Sequence, residues 1–197
     1  MATLAELCDE VYTITNRPDL INETRVAVKA ATLKCHQSDY YPKDLYETAL
    51  AWDPIAYVQS LSYRDIVPRW RAFKYLRKLE SDGTTLGNFF TLLTPSQTLD
   101  SYGQNKENIC YLAGESLEIR SSTEDTYMLL GCYIHPDITT SGYNSWVSVE
   151  HPYAIIYEAA AKIFSQIGWQ EQTAEFRREA AEQLILLRNS QIQAEGY

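Results

Sequence analysis

The sequence predicts an α+β fold: a mainly helical bundle formed by the N- and C-terminal helices, with an antiparallel β-meander inserted between them. Three observations point there. Apolar residues recur at helical spacing near both ends of the chain. The middle is punctuated by short runs of strand-forming residues and tight-turn residues. The length of 197 residues suits one domain, or a domain with a small insertion, and a chain of that size buries roughly 70% of its unfolded surface without covalent staples. The expected organisation is residues 1–50 as the N-terminal helices, 51–149 as a β-rich insertion, and 150–197 as the C-terminal helices and a docking tail.

The first helix opens on Thr3-Leu4-Ala5-Glu6, which has the spacing of a capping box: the Thr3 hydroxyl accepts from the Glu6 amide while the carboxylate reaches back. Leu4, Leu7, Cys8, Val11 and Tyr12 share one face, and Arg17-Pro18 ends the segment. A second helix runs from after Pro18 to about His36, with a stripe of Leu20, Thr24, Ala27, Val28, Ala31 and Cys35 small enough for close helix packing. From Asp39 the texture becomes aromatic and turn-rich, and Ile55–Tyr63 reads as extended. Asn108–Ala113 and Ser116–Ser121 flank the tight turn Gly114-Glu115. The polar loop STEDT leads to Tyr127–His135, closed by Pro136, so that three consecutive strands would form the meander. Pro152 suits a helical first turn, followed by a core face of Ile155, Ile156, Ala159, Ala160, Ile163 and Phe164, with Gly168 as the stop. The last helix spans about Gln170–Gln193 and offers Ala174, Phe176, Ala180, Leu184 and Leu187.

Chemistry is sparse. Cys8, Cys35, Cys110 and Cys132 are scattered with no CxxC pair, which reads as reduced, mostly buried thiols in a protein made in the cytosol. The N-terminus is acidic and lacks the apolar run of a secretory leader, and stretches such as LILL at 184–187 are far too short to span a bilayer. His135-Pro136-Asp137 follows a strand and reads as a turn. Cys8 and His36 would meet only if the first two helices pack side by side, and a core cysteine beside a capping histidine is the commoner outcome. Neither HExxH, an EF-hand loop nor a phosphate-cradling glycine loop occurs, and no pair among the 26 acids is singled out by spacing. The expectation is a protein that is not an enzyme and uses no metal or cofactor.

One stretch stands apart. RWRAFKYLRKLE, residues 69–80, holds five of the 17 basic residues, interleaved with Trp70, Phe73 and Tyr75. As a helix it would spread Arg69, Lys74, Arg77 and Lys78 around the barrel. As a strand it would put Phe73, Tyr75, Arg77 and Leu79 on one face and Lys74, Leu76 and Lys78 on the other. Neither gives a clean stripe; the aromatic content and the preceding Pro68 favour a strand. Three uses compete: an ordinary sheet segment with solvated charges, a protein interface of the arginine–aromatic kind, and a nucleic-acid contact. The net charge of −9 and pI near 4.8 oppose the last.

Several segments together carry a resemblance. They are LAELCDEVYTITNRPDL, TRVAVKAATLKCHQSDYYPKDL, PRWRAFKYLRKL, YLAGESLEIRSS, GCYIHPDI and SWVSVEHPYAIIYEAAAKIF, in that order over most of the chain. With them the sequence resembles the head–tail adaptor (connector) proteins of tailed bacteriophages, particularly short-tailed ones. The resemblance implies a structural virion protein at the head–tail junction, made in the host cytoplasm. It would form a ring, commonly of twelve copies, beneath the portal protein, extend the DNA channel and attach tail nozzle and tail fibre proteins. DNA would only pass through, and no membrane would be involved. In such adaptors the C-terminal helix or tail reaches the portal; the corresponding segment here is Leu184–Tyr197, with Leu184, Leu187, Arg188, Ile192 and Tyr197 as candidate contacts. Arg69, Trp70, Arg71, Lys74, Arg77 and Lys78 are candidates for a second protein contact, meeting an acidic helix such as Glu171–Glu182 of a neighbour around a head-to-tail ring. The alternatives are a nucleic-acid-binding module using 69–78, another head-completion or tail-ring protein, and a cell-wall hydrolase.

Overall fold

The computed structural model describes residues 3–51, 58–80, 82–94, 96–97, 107–121 and 127–194. In chain order the elements are α1 (Leu4–Thr15), α2 (Ile21–Gln37), a 3-10 turn (Pro42–Asp44), β1 (Leu45–Ala51), β2 (Val58–Ser62) and α3 (Tyr63–Ile66). There follow β3 (Trp70–Leu79), β4 (Leu86–Phe89), β5 (Thr91–Leu92), β6 (Ile109–Ala113), β7 (Ser116–Arg120) and β8 (Tyr127–Ile134). The chain continues through α4 (Val147–Glu150), α5 (Pro152–Gln166) and α6 (Gln170–Ala194). They divide into two compact units, Met1–Asp44 with His135–Tyr197, and Leu45–Ile134.

In the first unit local chemistry sets the helix ends. The Thr3 amide donates to Glu6 Oε2 at 2.7 Å and the Glu6 amide to Thr3 Oγ1 at 3.2 Å, a complete capping box. Those hydrogen bonds from Thr3 hold the Glu6 carboxyl below its ordinary value. α1 stops at Asn16 in the left-handed region (φ 50°), α5 carries Pro152 in its first turn, and Gly168 (φ 83°) follows α5 where a side chain would be strained. α5 is the central helix, packing on α1, α2 and α6. Its Ala154, Ile155, Ile156, Ala159 and Ile163 meet Leu7 and Val11 of α1, Ala27, Val28 and Ala31 of α2, and Leu187 of α6 in one buried cluster. On α6 the inward position falls to Thr173; Ala174 is exposed.

The second unit overturns the expectation of a mainly helical bundle with an inserted β-meander. Among the described residues the fold is mixed α+β, with six helices and two four-stranded sheets whose strands spread through the middle of the chain. The first sheet has the order β1-β8-β3-β4 and is antiparallel; the second has the order β2-β7-β6-β5, with β5 and β6 parallel. The β6–β7 hairpin is present, closing from Ala113↔Ser116 over Gly114 at φ 62°. The expected third strand of a meander is not beside it. β8 lies in the other sheet, between β1 and β3, and the loop 122–126 before it lies outside the described residues. The composition of β8 explains this: Met128, Leu130 and Cys132 are buried, and so apolar a strand is most stable in the middle of a sheet with both edges paired.

The two sheets share one core of Leu50, Leu76, Cys110, Leu117, Ile119, Met128 and Leu130, joined by Phe90. Phe90 is the single residue between β4 and β5. Its amide donates to Leu76 O in the first sheet, and the next amide, of Thr91, donates to Asn108 O beside the second. One chain segment thus turns the corner between the sheets. The extended reading of Ile55–Tyr63 corresponds to β2 and the start of α3; residues 55–57 lie outside the described residues.

Candidate protein-interaction surface

The basic–aromatic stretch forms β3, paired on one edge with β8 and on the other with β4. Against β8 its register slips twice, from Trp70↔Ile134 to Ala72↔Tyr133 and from Phe73↔Cys132 to Tyr75↔Gly131. Each slip leaves one extra residue on β3, and those residues are Arg71 and Lys74. Bulges re-aim the side chains that follow them. Trp70, Phe73 and Leu76 all turn to the core, three residues apart, while Lys74, Tyr75 and Arg77 share the opposite face. The simple alternation expected from sequence, with Phe73 beside Tyr75, is corrected by these insertions.

That opposite face is built as an array. Gly131 of β8 sits between Glu47 of β1 and Tyr75 of β3 in register. A Cβ at Gly131 would lie 2.6 Å from Tyr75 Cε1 and Cζ, so the phenol crosses the strand where no side chain stands, and its hydroxyl donates to Glu47 Oε1. Burial, followed by the Glu47 contact, pushes the Tyr75 hydroxyl up to about 12. The Tyr75 ring meets Phe89 of β4 edge-on, with centroids 5.6 Å apart. Arg77 donates from Nε and Nη2 to Gly87 O at 3.2 and 2.9 Å, and its guanidinium lies 4.5 Å from the Phe89 ring centre. Lys74 Nζ lies 5.5 Å from the Tyr133 ring centre. Phe89 is 58% exposed, Leu86 52% and Tyr127 42%, so the face is apolar and aromatic with fixed cations among the rings.

The other candidate residues are placed differently. Trp70 stacks on Tyr63 with centroids 4.5 Å apart and leans on the core. Lys78 is partly buried beside Gly87. Arg69 is exposed at the end of β3 and lines a hollow of about 130 Å³ with Tyr46, Ile66, Val67, Pro68 and Ile134. In the helical unit Leu187 is fully buried and Leu184 partly so, both packed into that unit's own core. The exposed apolar pair on α6 is Ile185 and Leu186, which sequence reading passed over. Arg188 Nη2 donates to Ser38 O at 2.6 Å. Ile192 lies in α6 with its side chain outside the described residues, as is all of Tyr197.

A buried polar cluster in the helical unit was not legible from sequence. His36 Nδ1 lies 2.7 Å from Asp44 Oδ1, and His36 Nε2 lies 2.8 Å from Ser145 Oγ. A carboxylate only accepts, so Nδ1 carries a proton and donates to Asp44. Trp146 Nε1 donates to the same Asp44 oxygen at 2.8 Å. The order Ser–His–Asp is that of a hydrolase triad. Here, however, Ser145 is 3% exposed and His36 1%, and the serine oxygen also accepts from the Ser148 amide at 3.4 Å. No substrate atom reaches a serine so enclosed; the cluster ties α2 to the chain entering α4. Cys8 is not a partner of His36 in it, and burial raises the Cys8 thiol, which disfavours the thiolate.

All four cysteines are free and buried. Among the described residues no group of three or more His, Cys, Asp or Glu could hold a metal ion, and no helix is long and apolar enough to cross a membrane. No protein-family model matches the chain, and comparison with curated proteins yields no match.

Proposed function

We propose that this chain is a structural protein of a tailed-phage virion: a head–tail adaptor whose copies form a ring under the portal and offer attachment to tail nozzle and fibre proteins. The observation that carries the proposal is the open face of the first sheet. Arginine and aromatic side chains are the groups that dominate protein interfaces, and an exposed cluster of them marks a contact surface. Arg77 is already held by Gly87 O and Phe89, and Tyr75 by Glu47, so docking would cost little side-chain entropy. This support is independent of the family resemblance in the sequence.

A nucleic-acid surface is the second reading, because rings interleaved with cations also suit stacked bases. Glu47 beside Tyr75 and the net charge of −9 oppose it.

The experiment is to mix the purified chain with portal rings and image the product. Rings capped by the chain are expected, with occupancy lowered about tenfold or more by Phe89→Ala with Lys74→Glu, both exposed positions. Portal rings that remain bare at saturating protein would remove the proposal. Salt-dependent retention on DNA that the same substitutions abolish would select the nucleic-acid reading instead.

A further inference from the structure

α6 is electrostatically two-sided. One side borders a groove of about 490 Å³ against α2 and α5, floored by Ala27, Ala31 and Ala161 and rimmed by Lys34, Lys162 and Arg177. Glu158 also lines it and pairs with Lys34 at 2.7 Å. Among the described residues Lys162 and Arg177 form no ion pair, and both are exposed. In a chain of net charge −9, a cavity with two uncompensated cations over an alanine floor is a local inversion of sign.

The other side of the same helix is acidic. Each helical residue turns about 100°. Glu175 and Glu179 each stand two positions from Arg177, so they project on nearly the opposite side of α6, in one stripe with Glu171 and Glu182. Arg178 offsets part of it through a 3.6 Å contact with Glu179. One helix therefore carries a cationic, small-residue groove on one flank and an anionic ridge on the other.

We infer that the groove receives the acidic ridge of α6 from a second copy of this chain. The two surfaces differ, so the contact is heterologous: each copy offers a ridge to one neighbour and a groove to the other, and it propagates head to tail. Alanines let a partner backbone approach closely, and the lysine and arginine stems cover its flanks while their charges meet the glutamates. This contact rests on the reading that copies of the chain associate, and it replaces β3 as the basic partner of the acidic helix.

The test is a reciprocal charge swap followed by sedimentation at low salt. Lys162→Glu with Arg177→Glu gives a groove and ridge that are both acidic; Glu175→Lys with Glu182→Lys makes both basic. Each variant alone is expected to lose self-association by about tenfold or more, and an equimolar mixture to regain it, because an acidic groove then meets a basic ridge. All four positions are exposed, so circular dichroism should show an unchanged fold. Wild-type protein that stays monomeric at low salt, either variant assembling like wild type, or a mixture that remains dissociated would each overturn the inference. Reversals that leave assembly and portal capping intact would sink this contact alone. A working swap on protein that never caps a portal ring would sink the adaptor reading and leave the groove standing.

Discussion

Asp44 Oδ1 accepts from His36 and from Trp146, and the residue is 4% exposed. A carboxylate taken that far from water is tolerable only while its donors are in place. Removing the acceptor leaves two buried donors unsatisfied, at a typical cost of about 1–3 kcal/mol each. Asp44→Ala is expected to lower unfolding stability by about 3 kcal/mol in urea titration, because it strands the His36 ring and the Trp146 indole; a loss under about 1 kcal/mol would show the cluster to be dispensable. From sequence the candidate partner of His36 is Cys8, which lies in the apolar core instead. The partners are eight and 109 residues away. Nothing in a residue's neighbours announces a hydrogen bond across such a distance.

Strand β3 shows why the middle of the chain was harder to read than its ends. A strand advertises itself by alternation, and two bulges reset that alternation inside ten residues. The inward set Trp70, Phe73, Leu76 then has a spacing of three, closer to a helical period than a strand's. The preference for a strand came from residue type and Pro68. β1 was missed for a related reason: LYETALA is rich in helix formers, and pairing along β8 overrides that propensity. Gly131 sets the geometry of the open face. Gly131→Ala puts a methyl against the Tyr75 ring, so the ring must leave Glu47 or the strands must part. Overpacking of this kind costs about 1–3 kcal/mol, and adding Tyr75→Ala should restore part of it. Chemical denaturation of the two variants measures the coupling; if the second substitution recovers nothing, the ring is not what the methyl meets.

Across the whole molecule, both units hold groups whose proton is retained by burial. Burial pushes Cys35, Cys110 and Tyr143 up to about 12 and Cys132 to about 11, against ordinary values of 9 for the thiols and 10 for the phenol. In alkali the unfolded chain gives up these protons first, so it binds fewer than the folded chain and stability falls as pH rises. The contribution is whole below about pH 9 and is lost as pH climbs through 11 to 12. Denaturation midpoints at pH 8, 9, 10 and 11 should be level at first and then decline; a midpoint that rises across this range would contradict the burial of these groups.

Within this chain the sequence alone determined what is decided inside a few turns of backbone. Thr3 and Glu6 meet because they are three residues apart on a helix, the alanine stripe of α2 is a matter of period, and Gly114 makes its hairpin locally. Tertiary structure decided everything that depends on which distant segments meet. It placed β8 between β1 and β3, where a consecutive meander was expected, and divided the eight strands among the described residues between two sheets. It also closed His36 onto Ser145 and assembled a cationic groove from α2, α5 and α6. The reason is that local geometry is set by dihedral preference and short-range capping, which each residue carries with it. Strand partners and side-chain clusters are chosen by the burial of the whole chain's apolar surface, which no short window contains.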